Sequence, residues 1–165
     1  MKQKLTLANI IMIIAELVLM FIPGVFGRQF WAGEQDAYYF MSGEYGTYSL
    51  THTTGVNILK TYTTLNSIIA IVVIVLLIAS ALGFIIMYIK NDKKSQWALL
   101  SPIVSLLAFV VLTVCVLGGN TCDGTDSYLQ FVLGWLYYVI LGLHILTIVF
   151  SALIKFKFSD EKTEK

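Results

Sequence analysis

Charge is what this sequence most conspicuously lacks. Of 165 residues, 11 are Lys or Arg and 10 are Asp or Glu, 13% together, where an ordinary soluble domain carries about a quarter. So little charge cannot clothe a conventional globule in solvated side chains. A formal net charge of +1 also leaves no basic surplus to draw in nucleic acid. Cysteine is nearly absent, with only Cys115 and Cys122, which excludes a thiolate zinc cluster. Proline is equally rare, and no Pro-rich or Gly/Ser-rich linker divides the chain, so one domain over 1–165 is expected. There is no phosphate-binding Gly loop, no H-E-x-x-H and no G-x-S-x-G. The polar segments are too short to house a nucleotide domain. Enzyme activity is therefore not expected, and neither is a cofactor or a resident metal.

What is present is apolar residue in long runs. Four such runs occur, at about 5–26, 65–89, 97–117 and 128–154. About 20 apolar residues cross a bilayer core, so each is long enough, some with tilt. None shows the polar face that a buried helix of a soluble bundle presents to water. The fold expected is an all-α membrane protein, four transmembrane helices in an antiparallel bundle. Lys2 and Lys4 could begin a secretory signal, but the first run is too long for a signal core and lacks a small-x-small cleavage site. It reads as a retained helix.

Orientation follows from the lysines. Positive charge collects on the cytoplasmic side of short loops. Nine of the eleven basic residues fall before the first run, between the second and third, or after the fourth. Only Arg28 and Lys60 lie in the other two loops, which also hold Glu34, Asp36, Glu44, Asp123 and Asp126. Both termini are thus expected in the cytoplasm of a cell that keeps this chain in its inner or plasma membrane. The tail 155–165 ends in a charged, disorder-prone stretch. Phe26, Phe30, Trp31, Trp97, Tyr128 and Trp135 stand at the run ends, where rings favour the interface.

The outer loop 27–64 is the only sizeable soluble segment. Its stretch "DAYYFMSGEYGTYSLTHTT" reads as strand at 38–41, turn at 42–44 and strand again at 47–53. A small β-hairpin is expected there, leaning on the helix ends, because a lone hairpin is marginal in water. Exposed Tyr-rich segments suit recognition. This layout of four spans, a long strand-bearing first outer loop and a short second one resembles that of the claudin family. Claudin-like proteins carry a Trp with a Cys pair in the first outer loop, whereas this loop has Trp31 and no cysteine. The resemblance is one of layout, and it implies that such a bundle can serve adhesion or accessory roles. Quinone-coupled thiol oxidoreductases share the general layout too, but they need a C-x-x-C pair and a second relay pair, which are missing here.

The two cysteines lie in "TVCVLGGNTCDGTD", with Gly118 and Gly119 between them to fold the chain back. Cys115 and Cys122 are a candidate disulfide on the side where disulfides persist, provided their Cα atoms come within about 7 Å; two free thiols are the alternative.

The sharpest signal is Glu16, inside "IIMIIAELVLMFIPG". A charge at mid-membrane costs several kcal/mol, so such groups face the bundle interior and find a partner. His144 lies as far from the inner end of the fourth run as Glu16 does from that of the first, about 15 Å at 1.5 Å per residue. The two runs are antiparallel, so the side chains can meet. Seven residues away on the same faces, Asn9 falls level with Ser151 and Pro23 with Tyr137. Ser80 and Ser105 lie at about the depth of Glu16 on the other two runs. A polar layer of Glu16, His144, Ser80 and Ser105 is expected if the bundle closes in chain order. It serves either as structural glue or as a proton or ion site. Pro23-Gly24 is expected to kink the first helix, and Ala79-x-x-x-Gly83 to permit close helix approach.

Two functions follow as expectations. The first is a non-enzymatic interaction or accessory subunit that contacts a membrane-protein partner. The second is a small proton- or ion-coupled transporter or channel-like protein, acting as a homo-oligomer through Glu16 and His144.

Overall fold

A computed structural model of the chain describes residues 2–32, 50–60, 63–90, 97–118, 121–123 and 127–156. Four long helices dominate: α1 (Lys2–Met20), α2 (Thr64–Lys90), α3 (Trp97–Gly118) and α4 (Trp135–Phe156). All four are long and apolar enough to cross a membrane. They close in a ring, α1 on α2, α2 on α3, α3 on α4 and α4 on α1.

The helices are amphipathic in the inverted sense. On α1, Thr6, Asn9, Ile10, Ile13, Glu16 and Met20 are buried, while Leu7, Ile11, Ile14 and Val18 are exposed. Spacings of three and four put the first set on one helix face. On α4 the buried set is Leu136, Tyr137, Ile140, His144, Thr147, Ser151 and Ile154. Polar groups therefore point inward, and aliphatic ones cover the outside.

At one end of the bundle lies an antiparallel four-stranded sheet in the order β2-β1-β4-β3. Its strands are β1 (Phe26–Ala32), β2 (Leu50–Val56), β3 (Thr121–Asp123) and β4 (Ser127–Leu133). β1 is central, pairing Phe26 with Val56 of β2 on one side and with Leu133 of β4 on the other. A bulge shifts the β1–β2 register between Phe30 and Trp31.

Strand formation corrects two of the expected spans. The first run does not continue helically to residue 26, because α1 stops at Met20 and Phe26 opens β1. Phe21 and Ile22 donate to the carbonyls of Val18 and Leu19, the i→i+3 bonds that tighten a last turn. Pro23 then lies beyond the helix, so it ends α1 rather than kinking it. The fourth helix begins at Trp135 and not near Tyr128, since Ser127–Leu133 is β4. An apolar run reads alike as strand or helix by hydropathy alone. Phe26 is fully buried and belongs to the core, not to an interfacial ring of aromatics. The expected strand at 38–41 and its turn lie outside the described residues. The pairing found in the first connection joins 26–32 to 50–56, and the second connection extends it.

Sheet and bundle meet at three glycines. Gly24 has φ of +124°, a conformation that L side chains rarely adopt. Its carbonyl accepts from Leu136 N, its N–H donates to Val56 O, and Gly134 N donates to Val25 O. A Cβ on Gly134 would collide with the Gly24 oxygen, and one on Gly55 would stand 3.2 Å from the Gly24 nitrogen. Asn57 secures the return. Its side-chain oxygen accepts from the N–H groups of Leu59 and Lys60, and its amide donates to the Phe21 carbonyl. Thr63 then caps α2, accepting from Asn66 N.

The Ala79-x-x-x-Gly83 pair does not mediate close approach within the chain. Ala79 is exposed, and a Cβ on Gly83 would meet nothing within 4 Å. The glycines thus separate into two kinds. Gly134→Ala is expected to destabilise by about 1–3 kcal/mol or more, since backbone must move to admit the methyl. Gly142→Ala, with open space around it, is expected to be neutral or to stabilise by at most about 1 kcal/mol. Thermal melts of both variants in the same detergent check this.

Candidate functional site

The site is built on the seam between α1 and α4. At its middle, Glu16 Oε2 lies 3.0 Å from His144 Nδ1, and both side chains are 1% exposed. The approach is close, but it lacks the in-line geometry of a ring N–H hydrogen bond. Thr147 Oγ1 donates toward Glu16 Oε1 at 3.3 Å and toward the Leu143 carbonyl at 2.9 Å. One heptad toward the end away from the sheet, Asn9 Nδ2 donates to Ser151 Oγ at 3.0 Å. The Ser151 hydroxyl in turn donates to the Thr147 carbonyl at 2.6 Å. Asn9 and Glu16 therefore share one face of α1, as Ser151 and His144 share one face of α4.

The remaining two helices complete the layer. All four helices meet at this level around a packing gap with no room for a water molecule. Ile13 and Glu16 of α1, Leu77 and Ser80 of α2, Pro102 and Ser105 of α3, and His144 and Thr147 of α4 line it. Ser80 Oγ, Ser105 Oγ and His144 Nε2 are buried with no hydrogen-bond partner among the described residues. The structure thus gathers Glu16, His144, Ser80 and Ser105 around one space.

Toward the sheet the site is roofed by rings. Phe109 packs on His144 with centroids 5.3 Å apart, Tyr137 stacks on Phe109 at 5.2 Å, and Phe26 lies 6.3 Å from Tyr137. These side chains are buried. Away from the sheet the α1–α4 seam stays polar through Asn9, Ser151 and the buried Thr6.

Chemically, the pair can carry one exchangeable proton. Whether Glu16 or His144 holds it, the two together are neutral, and neutrality is what a buried position demands. Among the described residues no cluster of three or more His, Cys, Asp or Glu could hold a metal ion.

Two contributors were missed in the sequence. Thr147 follows His144 by three residues and precedes Ser151 by four, a helical spacing that could have revealed it. Pro102 lines the gap from inside α3, but nothing in its local sequence distinguishes it from a packing residue. Of the two cysteines, Cys115 is a half-buried free thiol. The side chain of Cys122 lies outside the described residues, and the expected pairing with it. No protein-family model matches the chain, and no curated protein matches it by sequence.

A double-mutant cycle measures the central contact. Glu16→Leu and His144→Leu should each lower stability, and the double variant should recover a coupling of about 0.6–1.7 kcal/mol, the range measured between membrane helices. Glu16→Gln, which keeps a polar group opposite His144, should lose less than Glu16→Leu. A coupling of zero in thermal or denaturant unfolding would show that the pair does not hold the helices.

Proposed function

We propose that the chain is a multi-pass protein of the plasma or inner membrane, with both termini in the cytoplasm, and that it works as a non-enzymatic interaction or accessory subunit. The four apolar helices and their aliphatic exteriors support the membrane setting. The lysine distribution supports the orientation. One observation carries the role: both connections at one end of the bundle enter a single sheet, pinned to the helices through Gly24, Gly55 and Gly134. A rigid scaffold of this kind is what positions a recognition surface. On this reading the sheet faces outward, toward a membrane-protein partner.

A second reading is ion or proton handling by an oligomer through Glu16 and His144. The unpartnered Ser80 and Ser105 beside that pair favour it.

Three measurements test these readings. A fluorescent-protein fusion after Lys165 should glow and an alkaline phosphatase fusion there should be inactive; the reverse result overturns the orientation. Affinity purification in mild detergent with native mass spectrometry should recover a distinct protein at fixed ratio. Recovery of a homo-oligomer alone would sink the accessory reading. Proton or sodium flux in proteoliposomes, abolished by Glu16→Gln without loss of expression, would support the second.

A further inference from the structure

Three helices finish in the same way at the end of the bundle away from the sheet. On α1, the exposed Lys4 heads an exposed aliphatic stripe through Leu7 and Ile11. On α2, exposed Leu82 and Ile86 lead to the exposed Lys90. Spacings of three and four put each set on one helix face. On α4 the stripe is Leu153 and Phe156, and Lys155 Nζ stands 5.9 Å from the centre of the Phe156 ring, within cation–π reach. In the ring α1 packs against both α2 and α4, so the three lysine-bearing ends are neighbours. The other end of the bundle differs: α1 ends in LVLM, α2 begins with TLNS and α4 with WLYY, without a basic residue.

We propose that this end of the bundle binds an anionic phospholipid of the cytoplasmic leaflet, its phosphate held by Lys4, Lys90 and Lys155 and its acyl chains lying along the three stripes. The proposal rests on the membrane setting and orientation proposed above, and it names a lipid as partner.

Helix stability does not account for all three lysines. Lys90 and Lys155 lie in last turns, where a cation suits the helix dipole, but Lys4 lies in the first turn of α1, where the dipole favours an anion and no acidic residue is present. Orientation needs only that lysines fall in the inner segments, not that they stand at the head of exposed aliphatic stripes. Charge is in surplus as well. The inner segments hold nine lysines and four acids, Asp92, Asp160, Glu161 and Glu164. If each acid took one lysine, five would still have no carboxylate. The partner must therefore be anionic at one end and apolar beyond it. Juxtamembrane lysines attract the anionic lipids of the cytoplasmic leaflet in this manner.

The test uses the full chain in a mild non-ionic detergent. Native mass spectrometry follows retention of added phosphatidylglycerol against phosphatidylcholine with the same acyl chains. Phosphatidylglycerol should bind at least tenfold more tightly. The triple variant Lys4→Gln, Lys90→Gln, Lys155→Gln should lose about tenfold or more of that affinity. A second triple variant, Lys94→Gln, Lys162→Gln, Lys165→Gln, removes the same charge from other inner positions and should lose less than threefold. Equal retention of the two lipids overturns the proposal. Equal losses in the two variants also overturn it, since the attraction is then diffuse and not a site. Inorganic phosphate that displaces the lipid at equal concentration overturns it too, by showing a site for the free anion. The headgroup comparison needs no variant and decides even if one fails to fold. Binding is read without a membrane, so a failed fusion assay removes the orientation alone, and absent lipid selectivity removes only this site.

Discussion

The contact on which the rest depends is the buried polar seam between α1 and α4. Helices that are apolar on most of their surface have little to fix their rotation or their slide, since one aliphatic contact is much like another. Asn9 on Ser151 and Glu16 on His144 remove both freedoms. Two polar contacts one heptad apart admit a single rotation and a single register, because a slip of even one residue would leave buried polar groups facing aliphatic carbon. The gain per contact is modest between membrane helices. Its value lies in the alternatives it makes costly.

The same antiparallel register runs out of the helices into the sheet. Beyond Glu16 and His144, Gly24 O meets Leu136 N, Val25 O meets Gly134 N, and Phe26 pairs with Leu133. α1 and β1 thus run against β4 and α4 as one continuous pair, although the secondary structure changes midway. Changing from helix to strand within a close-packed pair requires backbones to approach where the chain turns. The glycines at 24, 55 and 134 supply that space, and Gly24 supplies the positive φ. The buried Phe26, Val56, Phe131 and Leu136 then seal the junction. The orientation of the sheet is accordingly set by the bundle.

Legibility in the sequence followed the strength of the physical constraint. The α2 and α3 bounds were readable to within a residue, because Thr63, Lys90 and Gly118 punctuate runs apolar throughout. The meeting of Glu16 with His144, and of Asn9 with Ser151, could be counted from helix rise alone, since a buried polar group needs a partner at its own depth. The helix ends near the sheet were misread for a reason intrinsic to the method. Residues 21–26 and 128–133 continue the apolar runs of the helices they adjoin, and the strand character of 26–32 and 127–133 comes from pairing with each other across about a hundred residues. No local pattern contains that pairing. Thr147 was within reach by spacing. Gly83 looked like a contact and has empty space beside it, because a small-residue motif says nothing about which way its face turns.

The core layer divides into two halves of unequal character, and the division bears on what it is for. On the α1–α4 side most polar groups are spent on one another or on backbone, Asn9 with Ser151, Thr147 with Glu16 and with Leu143, Ser151 with Thr147, although Asn9 Oδ1 and His144 Nε2 have no partner among the described residues. On the α2–α3 side, Ser80 and Ser105 hold nothing. Alanine at either position would fill nearly the same volume without burying a hydroxyl, so structural glue does not account for them.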